Sequence, residues 1–358
     1  MRHWTIALSV VLISLGAVAQ EPAPQRRVVR IVEGDGPDER TRDWPKPAWD
    51  PSMTDAQKAA ALGAMIDALA ARDLFSGVVL VRRGETEIVA RAWGLAERGH
   101  GVANTLETRF NIGSINKLFT SIAIRKAAAD GKLALSDTIA KHLGAGAVTS
   151  GDTITIEQLL QHRSGLGDIF TEEFRATHPS RLRTTEDYMR IVADDPLLFE
   201  PGSSQRYSNA GFIVLGAILE KIYGRPYPEI IRDVVFAPAG MKSTGLWGPD
   251  EIVPNRATGY TRDGGEMRSN VYALPGRGSA AGGAFATARD LAALAGALAR
   301  SAYPGMRAGI GVAGGTAGAN AILEAQPDGS AIVVLANLDP PAAEYVGRAA
   351  REIFFGTN

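Results

Sequence analysis

Apolar residues follow two rhythms along the chain, and their placement sets the expected architecture. Residues 75–81 form a short, nearly continuous apolar run. After the turn Arg82-Arg83-Gly84-Glu85, residues 86–93 read as its hairpin partner. Strand rhythm returns near the end, at residues 319–325 and 331–337. Helical rhythm fills the space between. Ile115, Leu118, Phe119 and Ile122 have i, i+3, i+4, i+7 spacing and predict a helix over 114–129, stopped by Asp130-Gly131. Thr54-x-x-Gln57 is a capping-box start for an Ala-rich helix to about residue 72. Residues 131–255 read as mainly helical, with segments at 156–161, 185–193 and 210–222. A helix at 288–300 and a last one from about 342 complete the pattern. Strands from both ends around a helical middle predict an α+β fold. One sheet is built from about 52–130 and 256–358, and an all-helical subdomain of about 131–255 is inserted in it. No solenoid-type repeat is present.

Composition changes this picture mainly at the start. Arg2 and His3 precede an apolar stretch over 5–18 that is short for a membrane span, and Ala17-Val18-Ala19 is an A-x-A cleavage pattern. A signal peptide over 1–19 is expected, with cleavage after Ala19 and a periplasmic or secreted product. No later segment offers about 18 uninterrupted apolar residues, so no stable membrane span is expected after cleavage. Residues 20–51, rich in Pro and Arg, read as an irregular arm or linker. The remaining 52–358 suit one large domain: of 358 residues, 45% are hydrophobic and 22% charged. A net charge of −1 with no basic tract gives no reason to expect a nucleic-acid partner. The absence of cysteine excludes disulfides, thiolate metal sites and a cysteine nucleophile.

Two short motifs carry candidate chemistry. In Ser114-Ile115-Asn116-Lys117, helical i, i+3 spacing brings the ammonium to the hydroxyl. A serine hydroxyl attacks poorly until a base takes its proton, and a desolvated lysine can be that base. A place in the first helical turn adds the positive end of the helix dipole where an oxyanion develops. Lys117 and Ser121 are expected to line a cleft with Ser114. The bland alternative is an N-cap serine beside a solvated lysine. Tyr207-Ser208-Asn209 follows a Pro-Gly turn and a polar loop, ahead of an apolar helix. A tyrosine there can relay a proton, and the asparagine can orient it or bind a substrate carbonyl. Each motif recurs by chance in a chain of this size, so their weight lies in combination.

Together, in this order and some 90 residues apart, they resemble the first two motifs of the class C β-lactamase-like, penicillin-binding-protein-like serine hydrolases. That family includes β-lactamases, D-alanyl-D-alanine carboxypeptidases and esterases. Phe110-Asn111-Ile112-Gly113, Asp130-Gly131-Lys132-Leu133, Leu159-Leu160-Gln161-His162-Arg163-Ser164-Gly165-Leu166, Gly240-Met241-Lys242-Ser243-Thr244-Gly245 and Ala281-Gly282-Gly283-Ala284-Phe285-Ala286-Thr287 are similar to family segments as well. The resemblance covers about residues 55–358. It implies an antiparallel sheet flanked by helices and an acyl-enzyme mechanism. In it Ser114 attacks an ester or amide carbonyl, Lys117 and Tyr207 handle its proton, and water later releases the acyl group. It further implies substrate binding by Asn209 and by Gly314, Gly315 and Thr316, with an oxyanion hole made from the Ser114 N–H and one N–H of the third-motif strand.

At the third motif the sequence departs from the family. Val312-Ala313-Gly314-Gly315-Thr316-Ala317-Gly318 has Val312 where the family has Lys or His, and residues 243–358 contain neither. Only about 30 residues separate the Ala281-Gly282-Gly283 segment from this motif, so the sheet is expected to be a strand short there. Arg307 offers a substitute cation but reads as a solvated loop arginine. Lys242-Ser243-Thr244-Gly245 reads as structural, and His162 as the donor or acceptor of a structural hydrogen bond. With no His-Glu-x-x-His pattern, glycine-rich phosphate loop or Gly-x-Ser-x-Gly elbow, neither metal nor cofactor is expected. The expected function is an exported hydrolase of a small-molecule or peptide-like ester or amide, more esterase- or peptidase-like than a true β-lactamase. The alternative is a catalytically weak or inactive binding protein that keeps the fold.

Overall fold

The computed structural model describes residues 41–356; the signal segment and the arm as far as residue 40 lie outside the described residues. Helix α1 (Asp55–Ala71) starts where its capping box predicts. The Thr54 side chain accepts from the Gln57 N–H, and Gln57 Oε1 accepts from the Thr54 N–H at 2.9 Å. Strands β1 (Gly77–Arg83) and β2 (Thr86–Trp93) form the expected hairpin. β1 begins two residues late because its other partner ends opposite Gly77, leaving Phe75 as a core side chain ahead of the ladder.

Near the other end of the chain, β3 (Ile310–Thr316), β4 (Ala319–Ala325) and β5 (Ala331–Ala336) join by tight turns. The sheet is antiparallel throughout and ordered β2-β1-β5-β4-β3, so the two terminal segments meet where β1 pairs with β5. Every residue of β4 and β5 is buried. That pattern belongs to strands covered on both faces. Helices α1 and α6 (Ala342–Phe355) cover one face, and α5 (Ala288–Ala299) the other. The expected shortfall beside the site takes a definite form. α5 is followed by residues 300–309 without a strand, and β3 is left as the sheet's edge.

Residues 131–255 carry helices and no strand of the sheet. Among them α3 (Thr185–Val192) packs on α4 (Asn209–Tyr223). Ser208 caps α4, its Oγ accepting from the Gly211 N–H at 2.9 Å, and Gly224 ends it in the left-handed conformation. Helix α2 (Asn116–Ala129) lies between this part and the sheet, with ten of its residues buried. The described end of the arm is not loose. The Trp44 ring meets Tyr345 of α6 edge-to-face at 5.0 Å, and Tyr345 Oη donates to the Trp44 and Pro45 carbonyls at 3.2 and 3.1 Å. Among the described residues, no helix is long and apolar enough to cross a membrane.

Phe119 couples α2 to the helical part: it is fully buried and meets Phe236 edge-to-face at 5.0 Å. Phe119→Ala is expected to destabilise the protein by about 3–5 kcal/mol. Denaturant unfolding that changes by under about 1 kcal/mol contradicts this packing role.

Candidate active site

Ser114 sits just ahead of α2 rather than in its first turn. Gly113–Ile115 form a tight three-residue turn, and the α-helix starts at Asn116. Gly113 has φ +51°, and its N–H donates to Asn111 Oδ1 at 2.9 Å. Only glycine takes that conformation cheaply, so the chain turns sharply before the serine. The approach is held from the side as well. Phe110–Asn111 pairs antiparallel with Phe285–Ala286, and the Ile112 N–H donates to the Ala284 carbonyl at 2.9 Å.

Ser114 Oγ lies 2.6 Å from Tyr207 Oη and 3.2 Å from Lys117 Nζ. Lys117 Nζ donates to Asn209 Oδ1 at 2.6 Å and to the Ala281 carbonyl. The two motifs therefore converge on one point. The Ala281 carbonyl is held by its neighbours: Asn116 Nδ2 donates to the Ser279 carbonyl and Thr120 Oγ1 to that of Ala280, both at 2.7 Å. Three consecutive carbonyls thus take their partners from α2. Ser121, expected in the cleft, is buried instead, its Oγ donating to the Lys117 carbonyl at 2.9 Å. At i+4 it lies a turn further along the helix than the lysine, and its short side chain folds back on the backbone.

Lys117 is only 3% exposed and has no carboxylate within ion-pair distance among the described residues. Burial lowers its pKa to about 7, outweighing the Asp168 charge, which pulls the other way. Burial pushes the Tyr207 phenol well above its ordinary value, more than the Ser114 contact pulls it down. Near neutrality the lysine can be a free amine while the phenol stays protonated. The arrangement can therefore pass a proton from Ser114 to Lys117, directly or across the Tyr207 oxygen.

A second layer fixes these groups. The His162 ring stacks on Tyr207 at 4.8 Å, and its Nδ1 accepts from the Ser208 N–H at 3.1 Å. Burial first, then the Lys117 charge, lowers its pKa to about 3, so the imidazole is neutral. Asp168, half-buried, has Oδ1 accepting from Asn209 Nδ2 at 2.8 Å and from the Ile169 N–H at 2.7 Å. Sequence reasoning missed Asp168 altogether and read His162 as a hydrogen-bonding residue without its stacking contact. Both reach the site through partners more than 40 positions away.

The third-motif strand forms the opposite wall. A Cβ on Gly314 would lie 2.0 Å from the Ile112 carbonyl oxygen and 2.7 Å from the Ser114 nitrogen, so only glycine fits. A Cβ on Gly113 would in turn lie 2.7 Å from the Gly315 nitrogen. The two-residue turn Ala317-Gly318 makes Thr316 and Ala319 the closing pair of the β3–β4 ladder. Alternation then points the Gly315 N–H to the open edge, on the Ser114 side. Val312, Gly314 and Thr316 share one strand face by the same alternation. Val312 is 4% exposed and pairs with Leu323, an apolar side chain where the family has Lys or His, as the sequence indicated. Arg307 is exposed in the loop before β3. Lys242-Ser243-Thr244-Gly245 is structural: the Ser243 N–H and the Thr244 hydroxyl donate to buried Asp290, and Gly245 bridges to Phe285.

Residues 62–309 match the family described as Beta-lactamase, and the chain belongs to that family of β-lactamase-fold serine hydrolases. The match stops one residue before β3 begins. The chain is 29% identical to Penicillin-binding protein 4* of Bacillus subtilis (strain 168) over 219 residues, covering 60% of this chain and 47% of that protein. To Esterase EstB of Burkholderia gladioli it is 32% identical over 210 residues, covering 54% of this chain and 53% of that protein. It thus spans about half the length of these curated relatives. The solved penicillin-binding protein from Bacillus halodurans superposes with a TM-score of 0.72 at 30% identity, over 80% of this chain and 98% of that one.

With Lys117 as the proton acceptor, acylation of Ser114 by a neutral probe is expected to rise with pH through about 7 and then level off. Above that pH the amine is free to accept the proton; below it the ammonium cannot. A rate that stays flat across the neutral range contradicts this assignment. Tyr207→Phe is expected to lower the plateau roughly 10²–10⁴-fold.

Proposed function

We propose that this protein is an exported serine hydrolase that cleaves an ester or amide through an acyl-enzyme on Ser114, in an esterase- or peptidase-like manner. One observation carries the reading. A buried lysine without a contacting counter-ion stands 3.2 Å from a serine hydroxyl that is also 2.6 Å from a buried phenol. A solvated lysine beside an N-cap serine would have neither the burial nor the partners.

In the first step the Ser114 Oγ–H proton passes to Lys117, through or beside Tyr207, as the Oγ–carbonyl carbon bond forms. In this reading the Ser114 and Gly315 N–H groups receive the oxyanion. Collapse breaks the bond to the alkoxide or amine leaving group, which takes the proton back. Water then adds to the acyl carbon, giving its proton to Lys117, and Ser114 leaves with a proton restored. Of the residues that the family resemblance gives to substrate binding, Gly315 lends its N–H to the oxyanion, whereas the Asn209 amide is engaged by Lys117 and Asp168. The relatives named a penicillin-binding protein and an esterase support both branches of substrate. Val312 favours the esterase-like branch. A substrate carboxylate would find an apolar wall in place of an ion pair, which weakens carboxylate-bearing β-lactams more than uncharged esters. Export rests on the Arg2–Ala19 segment.

The same wall is what favours a second reading, a fold-retaining binding protein with little turnover. A fluorophosphonate probe separates the two. Serine-dependent labelling is expected in the wild type and absent from Ser114→Ala and Lys117→Ala; an unlabelled wild type leaves only the binding reading. Among substrates, p-nitrophenyl esters are expected to turn over faster than a chromogenic cephalosporin, and the reverse order overturns the esterase-like preference.

A further inference from the structure

We propose that Asp168 is a positioning residue for Lys117, acting through the Asn209 side chain to fix which end of that amide the lysine meets. The inference rests on the acyl-enzyme reading of Ser114 and adds a residue to it. A carboxylate only accepts hydrogen bonds and a lysine ammonium only donates, whereas an amide has one end of each kind. With Asp168 Oδ1 on one side at 2.8 Å and Lys117 Nζ on the other at 2.6 Å, the amide has one satisfied orientation. Nδ2 must face the carboxylate, which leaves Oδ1 for the lysine. The Ile169 N–H, also on Asp168 Oδ1 at 2.7 Å, holds that oxygen in place. The Asp168 charge acts on Lys117 itself, favouring the ammonium.

The groups set around Lys117 come from every element that packs on it. From its own helix segment comes the Ser114 hydroxyl, and from the start of α4 come Tyr207 and Asn209. The loop after Leu160 supplies neutral His162 and Asp168, and the segment before α5 supplies the Ala281 carbonyl. Asp168 is the one anionic side chain in this set. Its charge favours the ammonium, against the burial that disfavours it. Both effects matter for a base. Burial frees the amine near neutral pH, and the carboxylate keeps the amine basic enough to hold the serine proton. Losing Asp168 also releases the amide, and a turned amide would present Nδ2 to the lysine and lower its proton affinity further.

The test is the pH profile of p-nitrophenyl ester hydrolysis by the full chain, as wild type, Asp168→Asn and Asp168→Glu, with folding checked by thermal melting. In Asp168→Asn the acid limb is expected to move down by about one pH unit. The plateau is expected to fall roughly tenfold. Asp168→Glu should bring the limb most of the way back. A purely structural role lowers the plateau and leaves the limb in place, and that outcome overturns the proposal. Should Asp168→Asn fail to fold, Asp168→Ser removes the charge while keeping a polar group, with the same shift expected. A wild type that neither turns over the ester nor is labelled at Ser114 by a fluorophosphonate would defeat the acyl-enzyme reading itself. Lys117 titration by ¹⁵N NMR in wild type and variant then decides the positioning claim alone: a lowered midpoint supports it and an unchanged one overturns it.

Discussion

The site depends on keeping one lysine ammonium out of water without a carboxylate against it. Such a group is costly to bury, and it lowers the cost by giving up its proton. Lys117 meets three acceptors and the Tyr207 ring face, and none of these carries a formal charge. That is enough to hold the side chain in place and too little to fix its charge. A proton acceptor poised near neutral pH is the consequence. Any change that admitted water or placed a carboxylate in contact with Nζ would return it to an ordinary lysine.

Keeping the lysine dry takes material from distant parts of the chain. Helix α2 supplies the lysine and pins the Ser279 and Ala280 carbonyls with Asn116 and Thr120. The helical part supplies Tyr207, Asn209 and the His162 ring. The sheet supplies β3, which touches the Ser114 backbone through Gly314. Because β3 is an edge strand, one row of its N–H groups stays free of the ladder and can face the reacting carbonyl. The same strand carries Val312. The chain thus has the glycine backbone of its third motif against Ser114 and an apolar side chain where the family has a cation.

Much of this was legible because it is local. The capping box at Thr54 marks the start of α1, and the apolar stripe of α2 marks that helix within a few residues of its end. The Ser114–Lys117 contact follows from helical spacing. What escaped is non-local or depends on side-chain direction. Asp168 meets Asn209 across 41 positions, and a single acid in a loop has no periodicity to betray it. His162, with φ +57°, marked a special backbone site, but its stack on Tyr207 exists only once the loop and α4 have docked. Ser121 shows the opposite error. Its spacing placed it near Lys117, and a hydrogen bond to its own helix turned it inward. The missing third-motif cation was visible in the sequence, whereas the edge position of β3 required the sheet.

The most direct test is the protonation midpoint of Lys117 itself, read from its ¹⁵Nζ chemical shift in the wild-type protein and assigned by the signal lost in Lys117→Ala. The account predicts a midpoint near 7. A midpoint in the ordinary lysine range near 10.5 would mean that Nζ is solvated or ion-paired, and would contradict it.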